Sequence, residues 1–107
     1  MTMRPCLSKP ETRLVHKIVQ ALGEEFPGAY LRKIHGGPFQ HVGIPDIVGC
    51  IEGYFVGLEV KTTDGRVSEI QKIEGLCIVK SDGIYGVVTS PEEAISCVRT
   101  GITNLGT

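Results

Sequence analysis

The sequence predicts an α/β fold in which a small mixed sheet is flanked by helices, in the order αβββαβ. Two segments rich in β-branched and aromatic residues are separated by a two-residue turn, which predicts an antiparallel hairpin. A helical segment then leads from the second of these strands into a further strand. Such a strand-helix-strand step usually places its two strands side by side and parallel, by a right-handed crossover.

The first part of the chain predicts a helix, a strand and a loop. Apolar residues recur at helical spacing from Pro10 to about Gly23, and Tyr30–Ile34 has the composition of a strand. The loop 35–44 contains glycines and a proline, which prevent regular structure. Phe39 in this loop could contact a substrate, or it could fill a gap in the fold or an interface.

The middle of the chain predicts the hairpin. Its strands are Ile47–Ile51 and Tyr54–Lys61, and Glu52-Gly53 supplies the turn with the required glycine. Alternation along the second strand places aliphatic side chains on one face, which should pack in the core. The other face carries Gly57, which should leave open space beside the charged residues that follow it.

The turn also sets the register of the hairpin. Counting outward from it places Asp46 opposite Glu59, with Cβ atoms roughly 4.5–5.5 Å apart, and Lys61 falls on the same face. Two facing carboxylates repel each other unless a divalent cation neutralises them. An isolated Asp or Glu-x-Lys is usually a solvated strand edge, but their joint placement across one turn predicts a metal site.

The remainder of the chain predicts a helix, a strand and a final helix. The first helix runs from about Ser68 to Val79, and the strand from Ile84 to Val88. Pro91 opens the last helix, which should continue to about Thr100 before Gly101 ends it.

Glu11 and Gln71 could each either cap a helix or belong to the candidate site. Each lies three residues after a serine at a helix start, as in a capping box, where both side chains satisfy free backbone N–H groups. Glu11 also lies at the end of an apolar helical stripe that should pack on the sheet, where it could reach a metal. The same serine pattern occurs at three helix starts, namely Ser8…Glu11, Ser68…Gln71 and Ser90…Glu93.

Gly43-Ile44-Pro45-Asp46, followed by Glu59-Val60-Lys61, resembles the signature of PD-(D/E)xK nucleases. Within that superfamily the chain is most similar to the virus-type replication-repair nuclease (VRR-NUC) domain, from about Glu11 to about Ala94. This resemblance implies a restriction-endonuclease-like αβββαβ core. Further parts of the likeness are Lys33-Ile34-His35-Gly36, Ser68 with Gln71, Gly83, and the strand end Val87-Val88-Thr89-Ser90.

The resemblance implies roles for these residues. Asp46, Glu59 and the backbone carbonyl of Val60 would bind Mg²⁺ or Mn²⁺, which favour oxygen ligands. Lys61 would orient the attacking water or neutralise the phosphate. Glu11 is a further candidate metal ligand, and the likeness singles out Gln71 as a catalytic candidate.

The implied activity is that of a divalent-metal-dependent DNA endonuclease. Similarity to small standalone VRR-NUC proteins implies a homodimer acting on branched DNA such as Holliday (four-way) junctions, because two active sites can cut two strands. Two alternatives remain open at this point. One is a non-catalytic DNA-binding or assembly module with a nuclease fold, and the other is a nicking or flap nuclease that works with a replication partner.

Composition sets outer limits on these hypotheses. A chain of 107 residues with 41% hydrophobic content fits one domain, 1–107, with a single core. The four cysteines lack zinc-site spacing, so we expect buried free thiols in a reducing cytoplasm. As a separate expectation, we place the protein inside a bacterial cell, encoded by the bacterium or by a virus that infects it. No apolar segment reaches membrane-spanning length.

The charge distribution bears on DNA binding. A net charge of −1 argues mildly against a large nucleic-acid footprint, which needs clustered basic residues. Local clusters could compensate, although charges on a helix are more often a solvated face. The candidate basic residues are Arg4, Lys9, Arg13 and Lys17 around the first helix, and Arg32, Lys33, His35 and His41 around the loop.

Overall fold

A computed structural model describes residues 10–35 and 41–106, which form a four-stranded sheet and three helices. The strand order in the sheet is β1-β2-β3-β4; the first three strands are antiparallel, and β4 is parallel to β3. The predicted mixed sheet and element order are therefore confirmed. The elements are α1 (Pro10–Glu25), β1 (Tyr30–Lys33), β2 (Ile47–Ile51), β3 (Tyr54–Val60), α2 (Glu69–Lys80), β4 (Ile84–Val88) and α3 (Pro91–Leu105).

The hairpin between β2 and β3 has the predicted turn and register. Glu52 and Gly53 both have positive φ, 52° and 87°, as a two-residue turn of the type favoured between twisted strands requires. Ile51 is paired with Tyr54, next to the turn. The register runs without a bulge along all of β2, so the predicted alignment of the two strands is confirmed.

The core lies between one face of the sheet and the helices α1 and α3. Helix α1 contributes Ile18 and Leu22, which are fully buried, and α3 contributes Val98. From the sheet, the aliphatic residues of β3 are completely buried in the same cluster, as their alternation predicted. These residues are Val56, Leu58 and Val60.

Helix α2 covers the other face of the sheet. A Cβ atom on Gly75 would overlap the ring of Tyr85, so this helix approaches β4 closely. The expectation of open space at Gly57 was wrong, because a Cβ there would lie 3.0 Å from Ile78 and 3.1 Å from Pro45. The crossover from β3 to β4 brings α2 back over this face, and its side chains fill the space that the glycine leaves.

Helix α3 continues past the residue that was expected to end it. It runs through Gly101 to Leu105, and a Cβ on Gly101 would lie 2.7 Å from Ile84. The glycine at this position therefore permits close packing of the helix on β4. The other element ends differ from prediction by at most two residues.

Three cysteines lie in the described ranges and all are free thiols. Burial was predicted for them, but Cys50 and Cys77 are exposed and Cys97 is half-buried. Cys50 is paired with Tyr30 on one side and with Phe55 on the other, so its side chain lies on the same face of the sheet as theirs. Both of these side chains are exposed. Among the helices of residues 10–35 and 41–106, none has the length and hydropathy to cross a membrane. The residues Arg4, Cys6, Ser8, Lys9 and Phe39 lie outside the described ranges.

Candidate active site

Asp46 and Glu59 lie opposite each other at the end of the hairpin. The β2–β3 register ends with Ile47 paired to Leu58, and one further step places Asp46 across from Glu59. The backbone N–H of Val60 donates to Asp46 Oδ2 at 2.8 Å. On its other side, the carbonyl of Asp46 accepts from the N–H of Ile34 at 2.8 Å. The side chain and the backbone of Asp46 are therefore both held by neighbouring strands.

Pro45 lies on the face of the sheet that α2 covers. A Cβ atom on Gly57 would lie 3.1 Å from the Pro45 ring, so the chain bends out of the β2–β3 register at Asp46. In a strand, the N–H and C=O of one residue point to the same edge. Because the Val60 N–H reaches Asp46, the Val60 carbonyl points toward the same edge.

Glu59 is a buried carboxyl group. Its side chain is 2% exposed, and within the described ranges its Oε2 atom has no hydrogen-bond partner. Lys61 Nζ lies 3.9 Å from Glu59 Oε1. The pKa of Glu59 is raised from 4.5 to about 8, mainly by burial and also by a hydrogen bond with Asp46 and by the negative charge of Asp46, while the positive charge of Lys61 opposes the shift. Without a cation, Glu59 therefore retains a proton at neutral pH.

Glu11 is a partly buried residue in the first turn of α1. Its negative charge also raises the pKa of Glu59, which places it within electrostatic range of the site. However, across residues 10–35 and 41–106 no group of three or more His, Cys, Asp or Glu side chains is arranged to hold a metal ion. The structure brings Asp46, Glu59 and Lys61 together and leaves Glu11 outside that cluster.

Gln71 lies at the start of α2, in the predicted capping box. Its Oε1 accepts a hydrogen bond from the Ser68 N–H at 2.8 Å, and its own N–H donates to Ser68 Oγ at 3.2 Å. At the third helix, only half of this pattern forms. Ser90 Oγ accepts from the Glu93 N–H, whereas the Glu93 carboxylate accepts from both the N–H and the hydroxyl of Thr89.

Tyr85 belongs to this region, although the sequence did not predict it. It is paired with Gly57 in the parallel β3–β4 register, so its side chain lies on the same face as Glu59. Its hydroxyl donates to the Gln71 carbonyl at 3.4 Å. Burial raises the pKa of Tyr85, and the negative charges of Glu59 and Asp46 add to this effect. The phenol therefore lies within the field of both carboxylates.

The segment that leads into Asp46 is fixed against α2. Gly43 has a φ of 93°, and a Cβ there would lie 2.7 Å from Ile70. Glycine is thus required both for the left-handed backbone and for the close approach. A second contact joins His41 Nε2 to Glu74 Oε1 at 2.9 Å.

A surface groove lies beside the segment that follows β3, which begins with Lys61. Thr62 and Thr63 directly follow Lys61, and Thr89 follows Val88, whose carbonyl accepts from the Lys61 N–H at 3.0 Å. Basic side chains from α1 form the opposite wall. The groove encloses about 380 Å³ and is lined by Pro10, Arg13, Leu14, Lys17, Thr62, Thr63 and Thr89.

Comparison with solved structures found a similar fold in a "VRR_NUC domain". The TM-score is 0.62 with 21% sequence identity, over 86% of this chain and 97% of that chain. This confirms the predicted likeness at the level of the fold. Neither protein-family models nor curated proteins gave a match.

Proposed function

We propose that this protein is a divalent-metal-dependent DNA endonuclease that hydrolyses phosphodiester bonds. The observation that carries the proposal is the buried Glu59 carboxyl, with one oxygen lacking a hydrogen-bond partner among the described residues, beside Asp46 and Lys61. A buried carboxylate oxygen without a hydrogen-bond partner is unfavourable, and a bound cation would relieve this cost. The fold similarity to a VRR_NUC domain supports the same function.

The oxygen atoms at this site suit Mg²⁺ or Mn²⁺. The carboxylates of Asp46 and Glu59, together with the Val60 carbonyl, would hold the ion, since hard cations prefer such ligands. When bound, the ion would lower the pKa of a water molecule and offset negative charge on the scissile phosphate.

The residues of the chain would each contribute to hydrolysis. The Val60 N–H holds one Asp46 oxygen at 2.8 Å and so fixes the orientation of that carboxylate before substrate binds. Lys61, whose Nζ is 3.9 Å from Glu59 Oε1, would orient the attacking water or neutralise the phosphate. Glu11 would add negative charge near the site, as a further ligand or as an electrostatic contributor.

The groove beside Lys61 is the proposed path of the DNA backbone. Its basic residues Arg13 and Lys17 would pair with phosphates, and hydroxyl groups such as that of Thr62 can donate to phosphate oxygens. Contacts to phosphates do not depend on the base sequence of the DNA, as expected for an enzyme that recognises the shape of its substrate. We propose branched DNA, such as four-way junctions, as the substrate and a homodimer as the active species, so that two centres cut two strands.

The first test is cleavage of a labelled four-way junction in Mg²⁺ or Mn²⁺, with linear duplex and flap substrates as comparisons. Wild type would be compared with Lys61→Ala, Asp46→Asn and Glu59→Gln. Lys72→Ala is the matched control, because Lys72 is exposed on α2. We expect each of the three active-site variants to lose about 100-fold or more in cleavage rate, and the control to retain it.

The result also separates the functional alternatives. Metal-dependent, junction-selective cutting that is lost in Lys61→Ala would support the proposed function. Cutting of flaps or single nicks would favour a nuclease that works with a replication partner. Metal-independent DNA binding by wild type, with no cutting of any substrate, would refute the endonuclease and favour the binding module.

A further inference from the structure

Helix α2 covers only part of the sheet face on which it lies. It packs against β4 at Tyr85. Toward β1 and the hairpin turn, several side chains of the same face are exposed instead. Tyr30, Cys50 and Phe55 form a row across β1, β2 and β3, because they are paired in the sheet register. Arg32 lies two residues after Tyr30 in β1, so its side chain points to the same side. We call these four residues the open sheet face.

Two aromatic side chains dominate the open sheet face. Tyr30 is 57% exposed and Phe55 is 46% exposed. Two such rings exposed together on one face of a sheet are typical of a binding surface. They lie two strands apart, which is about 10 Å, with Cys50 between them. Each ring is therefore accessible to a planar group of its own.

Arg32 gives the open sheet face a positive charge. Its guanidinium carbon lies 4.3 Å from the centroid of the Tyr30 ring. Arg32 Nη1 also donates to the Leu31 carbonyl at 2.8 Å, which holds the guanidinium in place. The remaining N–H groups of Arg32 can bind a phosphate oxygen. Aromatic rings beside a fixed cation suit a nucleotide, which carries a planar base and a negative phosphate.

The open sheet face continues into the candidate active site. Side chains alternate along β3, so Phe55 and Glu59 point to the same side of the sheet. At a rise of about 3.3 Å per residue, the strand from Phe55 to Glu59 spans about 13 Å. A nucleic-acid strand lying on Phe55 would therefore reach the carboxylates within a short stretch of nucleotides. This continuity favours nucleic acid over protein as the occupant of the surface.

We propose that the open sheet face binds unpaired nucleotides of the DNA substrate by stacking their bases on Tyr30 and Phe55. Bases inside a duplex are already stacked on their neighbours, so only unpaired bases can lie on these rings. The link to cleavage rests on the proposed function, and the surface defines the substrate class further. Branched DNA with unpaired nucleotides next to the branch point is preferred over fully paired DNA.

The stacking surface is tested by fluorescence anisotropy with a labelled single-stranded oligonucleotide of about 12 nucleotides, in a chelator that prevents metal-dependent cutting. We expect wild type to bind the single strand at least about tenfold more tightly than a duplex of the same sequence. Tyr30→Ala and Phe55→Ala should each weaken binding at least about fivefold, whereas Tyr30→Phe keeps the ring and should bind as wild type. Ile73→Ala is the matched control, because Ile73 on α2 is also 57% exposed.

The phosphate contact is tested separately with Arg32→Ala. Loss of one phosphate contact to a single strand should reduce the slope of log Kd against log salt concentration by about 0.7. Phe55→Ala removes a ring and no charge, so it should keep the wild-type slope. Circular dichroism confirms that each variant is folded.

Cys50 allows a direct footprint of the bound strand, because it is an exposed free thiol between the two rings. Its alkylation by iodoacetamide, followed by peptide mass spectrometry, should slow about tenfold when the single strand is present at about ten times its Kd. The duplex at the same concentration should have little effect. Unchanged alkylation of Cys50, or binding that both alanine variants leave intact, would overturn the proposal. A wild type that binds no oligonucleotide would also overturn it and would leave the surface to a protein partner.

Binding and cutting are separate outcomes. Single-strand binding that requires both rings, with no cleavage of any substrate in Mg²⁺ or Mn²⁺, would support the binding surface and refute the endonuclease. Equal cleavage of a substrate with unpaired nucleotides by wild type and Tyr30→Ala would support the endonuclease and refute the binding surface.

Discussion

Neighbouring residues of β3 lie in two environments that are equally buried but opposite in effect. Leu58 is completely buried in the core between the sheet, α1 and α3. Glu59, the next residue, is 2% exposed on the other face, which α2 covers. Burial of Leu58 removes apolar surface from water and stabilises the fold. Burial of Glu59 disfavours its charged form, so the same degree of burial lowers stability at neutral and higher pH.

The largest expected effect on stability is at Leu58. Leu58→Ala removes a completely buried side chain and should lower the free energy of unfolding by about 2–5 kcal/mol. Urea unfolding at neutral pH measures this change. Val87→Ala, at an exposed position of β4, is the control and should cost under about 1 kcal/mol. An equal decrease in the free energy of unfolding for both variants would contradict the difference in burial between Leu58 and Val87.

The second prediction concerns Glu59 and pH. The pKa of Glu59 is about 8 in the folded chain and 4.5 for an unperturbed glutamate, the value we take for the unfolded chain. Between these two pH values the folded chain therefore binds more protons than the unfolded chain. The free energy of unfolding should therefore fall as pH rises through this window, by on the order of a few kcal/mol in the absence of metal. Glu59→Gln, which does not titrate, should lack this contribution and be more stable than wild type at pH values above the window.

Thermal unfolding in a chelator, followed across that pH range, measures the Glu59 effect. Addition of Mg²⁺ or Mn²⁺ should raise the wild-type melting temperature most at high pH, where the cation need not displace a proton. Parallel pH curves for wild type and Glu59→Gln would contradict the raised pKa.

The smallest expected effect is at Gln71, next to the site on the α2 side. Gln71→Ala removes one half of the capping box and should cost about 0.5–1 kcal/mol. Gln71→Glu keeps an acceptor for the Ser68 N–H and should remain close to wild-type stability. Chemical denaturation measures both variants. A loss of cleavage by Gln71→Glu at unchanged stability would assign the amide an active-site role as well.

The parts of the structure that the sequence predicted well depend on local rules. The turn at Glu52-Gly53 sets the register of the hairpin, and that register brings Asp46 and Glu59 together. The capping box at Ser68 and Gln71 was likewise predictable, since it depends on a spacing of three residues. Each of these features is decided by residues close together in the chain.

The parts that the sequence did not predict depend on packing between distant elements. No turn sets the register of β4 against β3, so the position of Tyr85 beside the carboxylates could not be read from the residues. Gly101 has the usual signal for a helix end, but its role is to let α3 approach Ile84. Gly57 similarly looked open because Ile78 reaches it only after the crossover of α2. In each case the role of the residue depends on a contact with an element that is distant in the sequence, and this contact is seen only in the tertiary structure.

The linear order of the sheet has a consequence for how this centre forms during folding. Strands β1, β2 and β3 are neighbours both in sequence and in space, so their pairing needs only short loops to close. Asp46 and Glu59 both belong to this local unit. Tyr85 and the cover provided by α2 depend on the later, longer crossover to β4. We therefore expect the two carboxylates to meet first in water, where their repulsion is weak, and to be desolvated only when α2 docks.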